Sequence, residues 1–176
     1  MRMAVGRVRR ANQPPELTDT GSTSITSDAA AMNSTLAIVF ALYVKTRNFQ
    51  WHVGDTAVQD CHLMLEEQGD QLYSMIEPIV ARVRALGISV FGSIGRLNHR
   101  RMVLEGEADR VQALNMLAEL REDNKALIAS LRQASAAYRL RGDASVAGLL
   151  DTWIDEARQR TQDLHESYRD RAAAAS

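Results

Sequence analysis

Residues 41–87 read ALYVKTRNFQWHVGDTAVQDCHLMLEEQGDQLYSMIEPIVARVRALG and contain two helical patterns separated at Gly54. The first pattern, helix A, is predicted to begin near Asp28, where Thr26 or Ser27 can cap it. Its apolar side chains recur at helical spacing and are Leu36, Val39, Phe40, Tyr43, Val44 and Phe49. This spacing predicts an amphipathic helix that ends before Gly54.

The second pattern, helix B, is predicted to run from about Ala57 to Leu86. Arginines in its last turn and the following Gly87 are typical of a helix C-terminus. Pro78 removes one backbone hydrogen bond, so we expect a kink within a single continuous helix.

The rest of the chain predicts two further long helices. Helix C spans roughly Val111–Arg139 and helix D roughly Ser145–Arg171. Between B and C, residues 88–110 form a long connection with one short helix near Ser93–Arg100. Because no strand pattern of useful length occurs, we predict an all-α fold: a four-helix bundle with a long crossover between B and C.

The ends of the chain differ from the bundle, which we place at residues 28–171. Residues 1–27 carry a small basic cluster, two prolines and a Thr/Ser/Gly stretch, a composition that predicts a mobile tail. Residues 172–176 are expected to fray.

The composition of the whole chain excludes several classes of protein. A net charge of −1 argues against an electrostatic nucleic-acid binder, and one Cys excludes an internal disulfide. No apolar run is long enough to cross a bilayer, so we expect a cytoplasmic protein.

Three polar side chains of helix B share one face. With His62 at 0°, Glu66 lies at about 40° and Glu77 at about 60°. Imidazole and carboxylate are ligands of iron, manganese or zinc. His62 and Glu77 are about 22 Å apart along one helix, so only two antiparallel copies could bring them together. A hairpin at Gly54 would fold Gln50 back near His62. The alternative, a solvated helix face, is favoured by spacing alone.

The chain resembles the Dps family, the DNA-binding proteins from starved cells or miniferritins. The resemblance rests on residues 41–87, SIGRL (93–97), MLAELREDNKALIASLR (116–132) and LLDTWIDEARQRT (149–161), in that order. It implies a ferritin-like bundle that assembles into a hollow dodecamer. It also implies oxidation of Fe(II), preferably by hydrogen peroxide, storage of ferric iron, and in some members DNA binding. Iron ligands in this family come from helices A and B of two subunits.

Carried over to this chain, the family's ligand pattern is incomplete. His62, Glu66 and Glu77 match ligand positions, the last with a Glu for the usual Asp. Gln50 replaces a His and offers only a weak carbonyl ligand, and Ala81 replaces a Glu. Two explanations are open: a degraded centre that oxidises iron slowly or not at all, or a centre retuned around the three remaining ligands. We expect the weakened centre.

Other residues have an implied role and a structural alternative. Trp51 matches a Trp beside the family's iron site, where it would intercept radicals; the alternative is a packed aromatic at the A–B junction. The tail arginines could contact DNA phosphates: Arg2, Arg7, Arg9 and Arg10. Asp143 and Asp151 could line an iron-entry pore but are expected to be surface acids. Cys61 is expected to be a small core residue.

Three functions remain open from the sequence. The first is a miniferritin that oxidises Fe(II), stores ferric iron and protects DNA in stationary phase or oxidative stress, with nucleoid association if it binds DNA. The second is a structural or DNA-compacting cage without ferroxidase activity. The third is a metal-free helical interaction protein, which would be a monomer or dimer.

Overall fold

The computed structural model describes residues 20–52, 59–87 and 109–173. These residues form four helices: α1 (Thr20–His52), α2 (Gln59–Ala85), α3 (Asp109–Leu140) and α4 (Ala144–Ala173). The helices correspond to predicted helices A to D, so the prediction of an all-α four-helix bundle is confirmed. The short helix expected near residues 93–100 lies outside the described residues.

The predicted start of the first helix was wrong. Residues 20–27 belong to α1, although their Thr/Ser/Gly composition had placed them in the tail and Thr26 or Ser27 at the cap. Local propensity is a weak signal, because the context of a long helix can override it. α2 is one helix through Pro78, as predicted.

Each helix packs against two others: α1 against α2 and α3, and α4 against α3 and α2. Side-chain contacts show the helix directions. Between α1 and α3, Thr35 contacts Ser130 and Lys45 contacts Asp123. Between α2 and α4, Gln71 contacts Arg160, and Arg82 contacts Asp143 directly before the start of α4. In both helix pairs the numbering rises along one helix as it falls along the other, so the partners are antiparallel. α3 and α4 are also antiparallel, because Arg160 contacts Asn124 and Asp151 contacts Ser135. It follows that α2 and α3 are parallel. The end of α2 and the start of α3 therefore lie at opposite ends of the bundle, as the predicted crossover requires.

Apolar side chains from all four helices form one core. Fully buried members are Leu36 and Val39 of α1, Leu65, Leu72, Met75 and Ile79 of α2, Leu120, Leu127 and Leu131 of α3, and Leu150, Ala157 and Leu164 of α4. Burial of each larger side chain stabilises the fold by roughly 1.5–3 kcal/mol. Val44, predicted within the apolar stripe of α1, is instead exposed. No helix in the described part of the chain is long and apolar enough to cross a membrane.

A tight turn joins α3 to α4. Gly142 has a φ of 78°, and the Asp143 N–H donates to the Tyr138 carbonyl at 3.1 Å, which closes the end of α3. Asp143 then caps α4, because its Oδ1 accepts a hydrogen bond from the Val146 N–H at 3.2 Å. Its carboxylate also forms an ion pair with Arg82 of α2. The turn therefore fixes three helices at one end of the bundle.

Candidate metal centre at the junction of α1 and α2

The last turn of α1 lies beside the first turns of α2, and two side chains meet there. Gln50 is 5% exposed, and His62 is half-buried. The His62 Nδ1 atom lies 3.2 Å from the Gln50 main-chain oxygen, and its Nε2 atom lies 3.3 Å from the Gln50 side-chain Nε2. The predicted proximity of Gln50 and His62 is therefore present within one chain.

These contacts define where the protons lie. A main-chain carbonyl can only accept, so His62 Nδ1 carries the hydrogen and donates it to Gln50. His62 Nε2 then accepts a hydrogen bond from the Gln50 side-chain NH₂. The Gln50 amide is held in this orientation because its Oε1 accepts from Arg47 Nη1 at 2.9 Å, and a guanidinium can only donate. Both ring nitrogens of His62 are thus engaged by Gln50.

Arg47 is held from several sides. Its Nη2 forms an ion pair with the exposed carboxylate of Asp70, and its Cζ lies 5.7 Å from the centre of the Tyr43 ring. Gly69 of α2 leaves room for it, since a Cβ at that position would lie 2.9 Å from Arg47 Nε. Asp70, Arg47, Gln50 and His62 therefore form a continuous hydrogen-bonded chain between the two helices.

A surface cavity of about 490 Å³ lies beside this chain. Its lining residues are Tyr43, Val44, Arg47, Asn48, Gln50, Trp51 and Glu66. Trp51 is 74% exposed, so within one chain it is not the packed aromatic that was offered as the alternative. Glu66, one of the predicted ligands, is exposed at the same cavity.

The other predicted ligand positions lie elsewhere. Glu77 is exposed on α2, four turns beyond His62 at about 22 Å along the helix. Ala81 lines a separate groove with Pro78 and Trp153. Among residues 20–52, 59–87 and 109–173, no three His, Cys, Asp or Glu side chains are close enough to hold a metal ion. The four tail arginines predicted to bind DNA lie outside the described residues.

Three further residues mentioned in the sequence analysis have structural contacts. Asp143 pairs with Arg82, and Asp151 pairs with Arg139. Cys61 is a free, buried thiol, as predicted, and burial raises its pKa. These observations favour a structural role for all three.

Arg47, Gly69 and Asp70 were missed from the sequence. One signal was available: Arg47 precedes Gln50 by three residues, so both side chains lie on one face of α1. The partner residues on α2 could not be found in this way, because their register against α1 depends on tertiary packing.

A four-helix bundle in which α2 and α3 run parallel and are joined by a crossover is the architecture of ferritin-like proteins. Comparison with known families agrees: the ferritin-like domain matches residues 29–172, and the chain belongs to this family. Its fold is that of Dps proteins. The Dps of Thermosynechococcus elongatus superposes with a TM-score of 0.70 at 17% identity, over 82% of this chain and 92% of that one. A Vibrio cholerae Dps, described as one of the ferritin-like diiron-carboxylate proteins, gives a TM-score of 0.67 at 19% identity, over 82% and 91%.

A curated relative is more similar in sequence but matches over a shorter region. An uncharacterized low temperature-induced protein of Nostoc is 33% identical over 101 residues, which cover 57% of this chain and 56% of the relative. The match thus spans little more than half of the relative's length.

Proposed function

We propose that this chain is the subunit of a hollow dodecameric cage that takes up, oxidises and stores iron, with an oxidation centre weakened at Gln50 and Ala81. Membership of the ferritin-like family and the Dps fold support the cage and the iron-storage role. The weakening is supported by the contacts of His62 and by the absence of any donor on Ala81.

The state of the His62 ring is the observation that carries the proposal. Its Nδ1–H donates to a main-chain carbonyl, the arrangement that orients most metal-ligating histidines. Glu66 follows one helical turn later, and imidazole with carboxylate is a suitable donor set for iron. However, His62 Nε2 already accepts a hydrogen bond from Gln50. Fe(II) would have to displace that hydrogen bond, so binding is expected to be weak.

The outer face of α2 supports a two-fold contact between subunits. Its exposed stripe follows i, i+3 and i+4 spacing and consists of Leu63, Glu66, Asp70, Tyr73, Glu77 and Ala81. Two copies of this face packed antiparallel would bring Glu77 of one copy towards His62 and Glu66 of the other. The same contact would cover Trp51 and Tyr73, which are exposed in a single chain.

Sizing by light scattering tests the assembly. We expect a particle of twelve subunits of 19.5 kDa each. A monomer or an isolated dimer at micromolar concentration would contradict the cage and favour the helical interaction protein.

Iron loading tests the chemistry. Fe(II) is added anaerobically, hydrogen peroxide follows, and ferric absorbance is recorded for wild type, His62→Ala and the doubly substituted Gln50→His/Ala81→Glu protein. We expect wild type to exceed both His62→Ala and a protein-free control, yet to be at least tenfold slower than the double variant. Equal rates for wild type and the double variant would show that the centre is not weakened.

A cage without ferroxidase activity is the second candidate, because Ala81 offers no ligand where the family has a carboxylate. It would be established by a cage whose iron oxidation equals the protein-free control.

We also propose that DNA is contacted through Arg2, Arg7, Arg9 and Arg10. A mobility-shift assay comparing the full chain with a chain lacking residues 1–10 tests this, and equal, salt-insensitive binding would refute it.

A further inference from the structure

We propose that the guanidinium of Arg47 is the resident cation of the α1–α2 centre and excludes divalent metal ions from it. The inference deepens the proposed function and depends on it in one respect: it names the group that weakens the centre. Arg47 is thus a specificity-determining residue for metal binding, acting through Gln50 and through its own positive charge.

The hydrogen bonds of the cluster occupy the ring lone pair of His62 and fix the orientation of the Gln50 amide, the two groups of the cluster that could ligate a metal ion. In its Nδ1–H form, His62 has one lone pair available to a metal, on Nε2, and the Gln50 NH₂ occupies it. Gln50 cannot turn its carbonyl towards a metal without losing the hydrogen bond from Arg47. A metal ion bound to His62 and Gln50 would therefore break two consecutive hydrogen bonds, Gln50 to His62 and Arg47 to Gln50. One N–H group of the charged Arg47 side chain would then lack its acceptor.

The two helices are shaped around the guanidinium. Gly69 lies inside α2 without a positive φ, so its backbone conformation does not require glycine. Glycine inside a helix is unfavourable compared with alanine. What Gly69 provides is space, because a Cβ there would lie 2.9 Å from Arg47 Nε and 3.0 Å from Cζ. Asp70, the next residue, supplies the counter-charge.

Charge also opposes a metal ion at this place. Arg47 and Glu66 line the same cavity, so a divalent ion bound by Glu66 would share that cavity with a fixed positive charge. The Arg47 side chain is largely shielded from solvent, which weakens screening of this repulsion. The ion pair with Asp70 offsets the charge of Arg47, and among the residues that line the cavity Glu66 supplies the one carboxylate that could attract a metal ion.

Cobalt(II) binding by the assembled protein tests the inference, with ligand-field absorbance as the readout and no iron oxidation involved. The background is Gln50→His/Ala81→Glu, which supplies the two missing donors. Adding Arg47→Leu to it is expected to tighten Co(II) binding at least tenfold. The matched control is Arg158→Leu in the same background, which removes an exposed arginine that pairs with Asp155 one turn away on α4.

A second pair of variants moves Arg47 without removing its charge. Gly69→Ala in the same background forces the guanidinium aside and is expected to tighten Co(II) binding as well. Gly148→Ala is its control, because a Cβ at that helical position meets nothing within 4 Å. If neither Arg47→Leu nor Gly69→Ala changes Co(II) affinity relative to its control, the inference is wrong, whether the background protein binds Co(II) or not.

The two proposals can fail separately. A cage that loads iron but shows equal Co(II) affinities keeps the proposed function and loses the role of Arg47. A chain that stores no iron, but binds Co(II) tenfold more tightly once Arg47 is replaced, keeps the role of Arg47 and loses the iron-storage function.

Discussion

Replacing Arg160 with methionine should not destabilise the protein, although Arg160 lies at the centre of the bundle. Its side chain is 1% exposed. Nε donates to Asn124 Oδ1 at 2.9 Å and Nη1 donates to Gln71 Oε1 at 3.1 Å. Both acceptors are neutral, and Nη2 has no hydrogen-bond partner among the described residues. A full positive charge is therefore buried without a direct carboxylate partner.

The cost of this burial follows from the pKa. Burial lowers the pKa of Arg160 to about 10, with Glu156 acting in the opposite direction. The fall from the ordinary arginine pKa to this value corresponds to about 3 kcal/mol at about 1.36 kcal/mol per pKa unit. Methionine removes that cost but leaves Asn124 Oδ1 unsatisfied, which costs about 1–3 kcal/mol. The free energy of unfolding of Arg160→Met should thus be unchanged or higher by up to about 2 kcal/mol.

The sign of the pH dependence provides an independent check. The folded-state pKa of Arg160 lies below the unfolded-state value, so the unfolded chain binds more protons from about pH 10 up to its own, higher pKa. The destabilisation by the buried charge is complete below pH 10 and is relieved as pH rises through that range. The advantage of Arg160→Met over wild type should therefore shrink by about 1 kcal/mol between pH 9 and pH 11.

Urea unfolding followed by circular dichroism, at matched protein concentration, measures both effects. Asn124→Ala is the contrasting variant, since it keeps the buried charge of Arg160 and removes the acceptor of its Nε–H. It should lower the free energy of unfolding by about 2–4 kcal/mol. A loss of more than 2 kcal/mol for Arg160→Met at pH 7, or a difference from wild type that does not vary with pH, would refute the reasoning.

Three further outcomes are expected. Cys61 should resist alkylation at pH 7.5 until denaturant is added, because burial raises its thiol pKa; rapid labelling of the folded protein would contradict this. Gly148→Ala should raise the free energy of unfolding by up to about 1 kcal/mol, and an unchanged or lower melting temperature would count against it. Asp143→Ala should lower stability by about 1–2 kcal/mol through loss of the cap to Val146 and the ion pair with Arg82, whereas Asp143→Asn should retain the cap and recover part of that loss.

The fold could be predicted from the sequence because helical periodicity and helix ends are local signals. Apolar spacing identified all four helices, and Gly87, which has a positive φ, marked the end of α2. The start of α1 was misplaced because no apolar pattern marks residues 20–27. The exposure of Val44 was missed because periodicity gives a face and tertiary packing decides which part of that face is covered.

The candidate site was predictable only in part. The approach of Gln50 to His62 follows from an antiparallel hairpin of two helices, and the structure has it. The sequence left open whether the centre is degraded or retuned, because both explanations use the same donors: His62, Glu66 and Glu77. What favours one over the other is the position of individual hydrogens and lone pairs, which depends on cross-helix contacts such as that between Arg47 and Asp70.

The effect of Gln50 on this site is more than the absence of an imidazole. The NH₂ group of the Gln50 amide donates a hydrogen bond to His62 Nε2. The carbonyl oxygen of the same amide then needs a donor, which Arg47 supplies. Arg47 in turn needs a counter-charge and space, which Asp70 and Gly69 supply. Each requirement is met by the next residue, so the cluster is internally satisfied without metal. Gln50→His alone would remove the acceptor of Arg47 while leaving its charge in place. For that reason Gln50→His alone is a poor route to a metal centre here. Adding the carboxylate of Ala81→Glu is expected to strengthen metal binding, and replacing or displacing Arg47 is expected to strengthen it further.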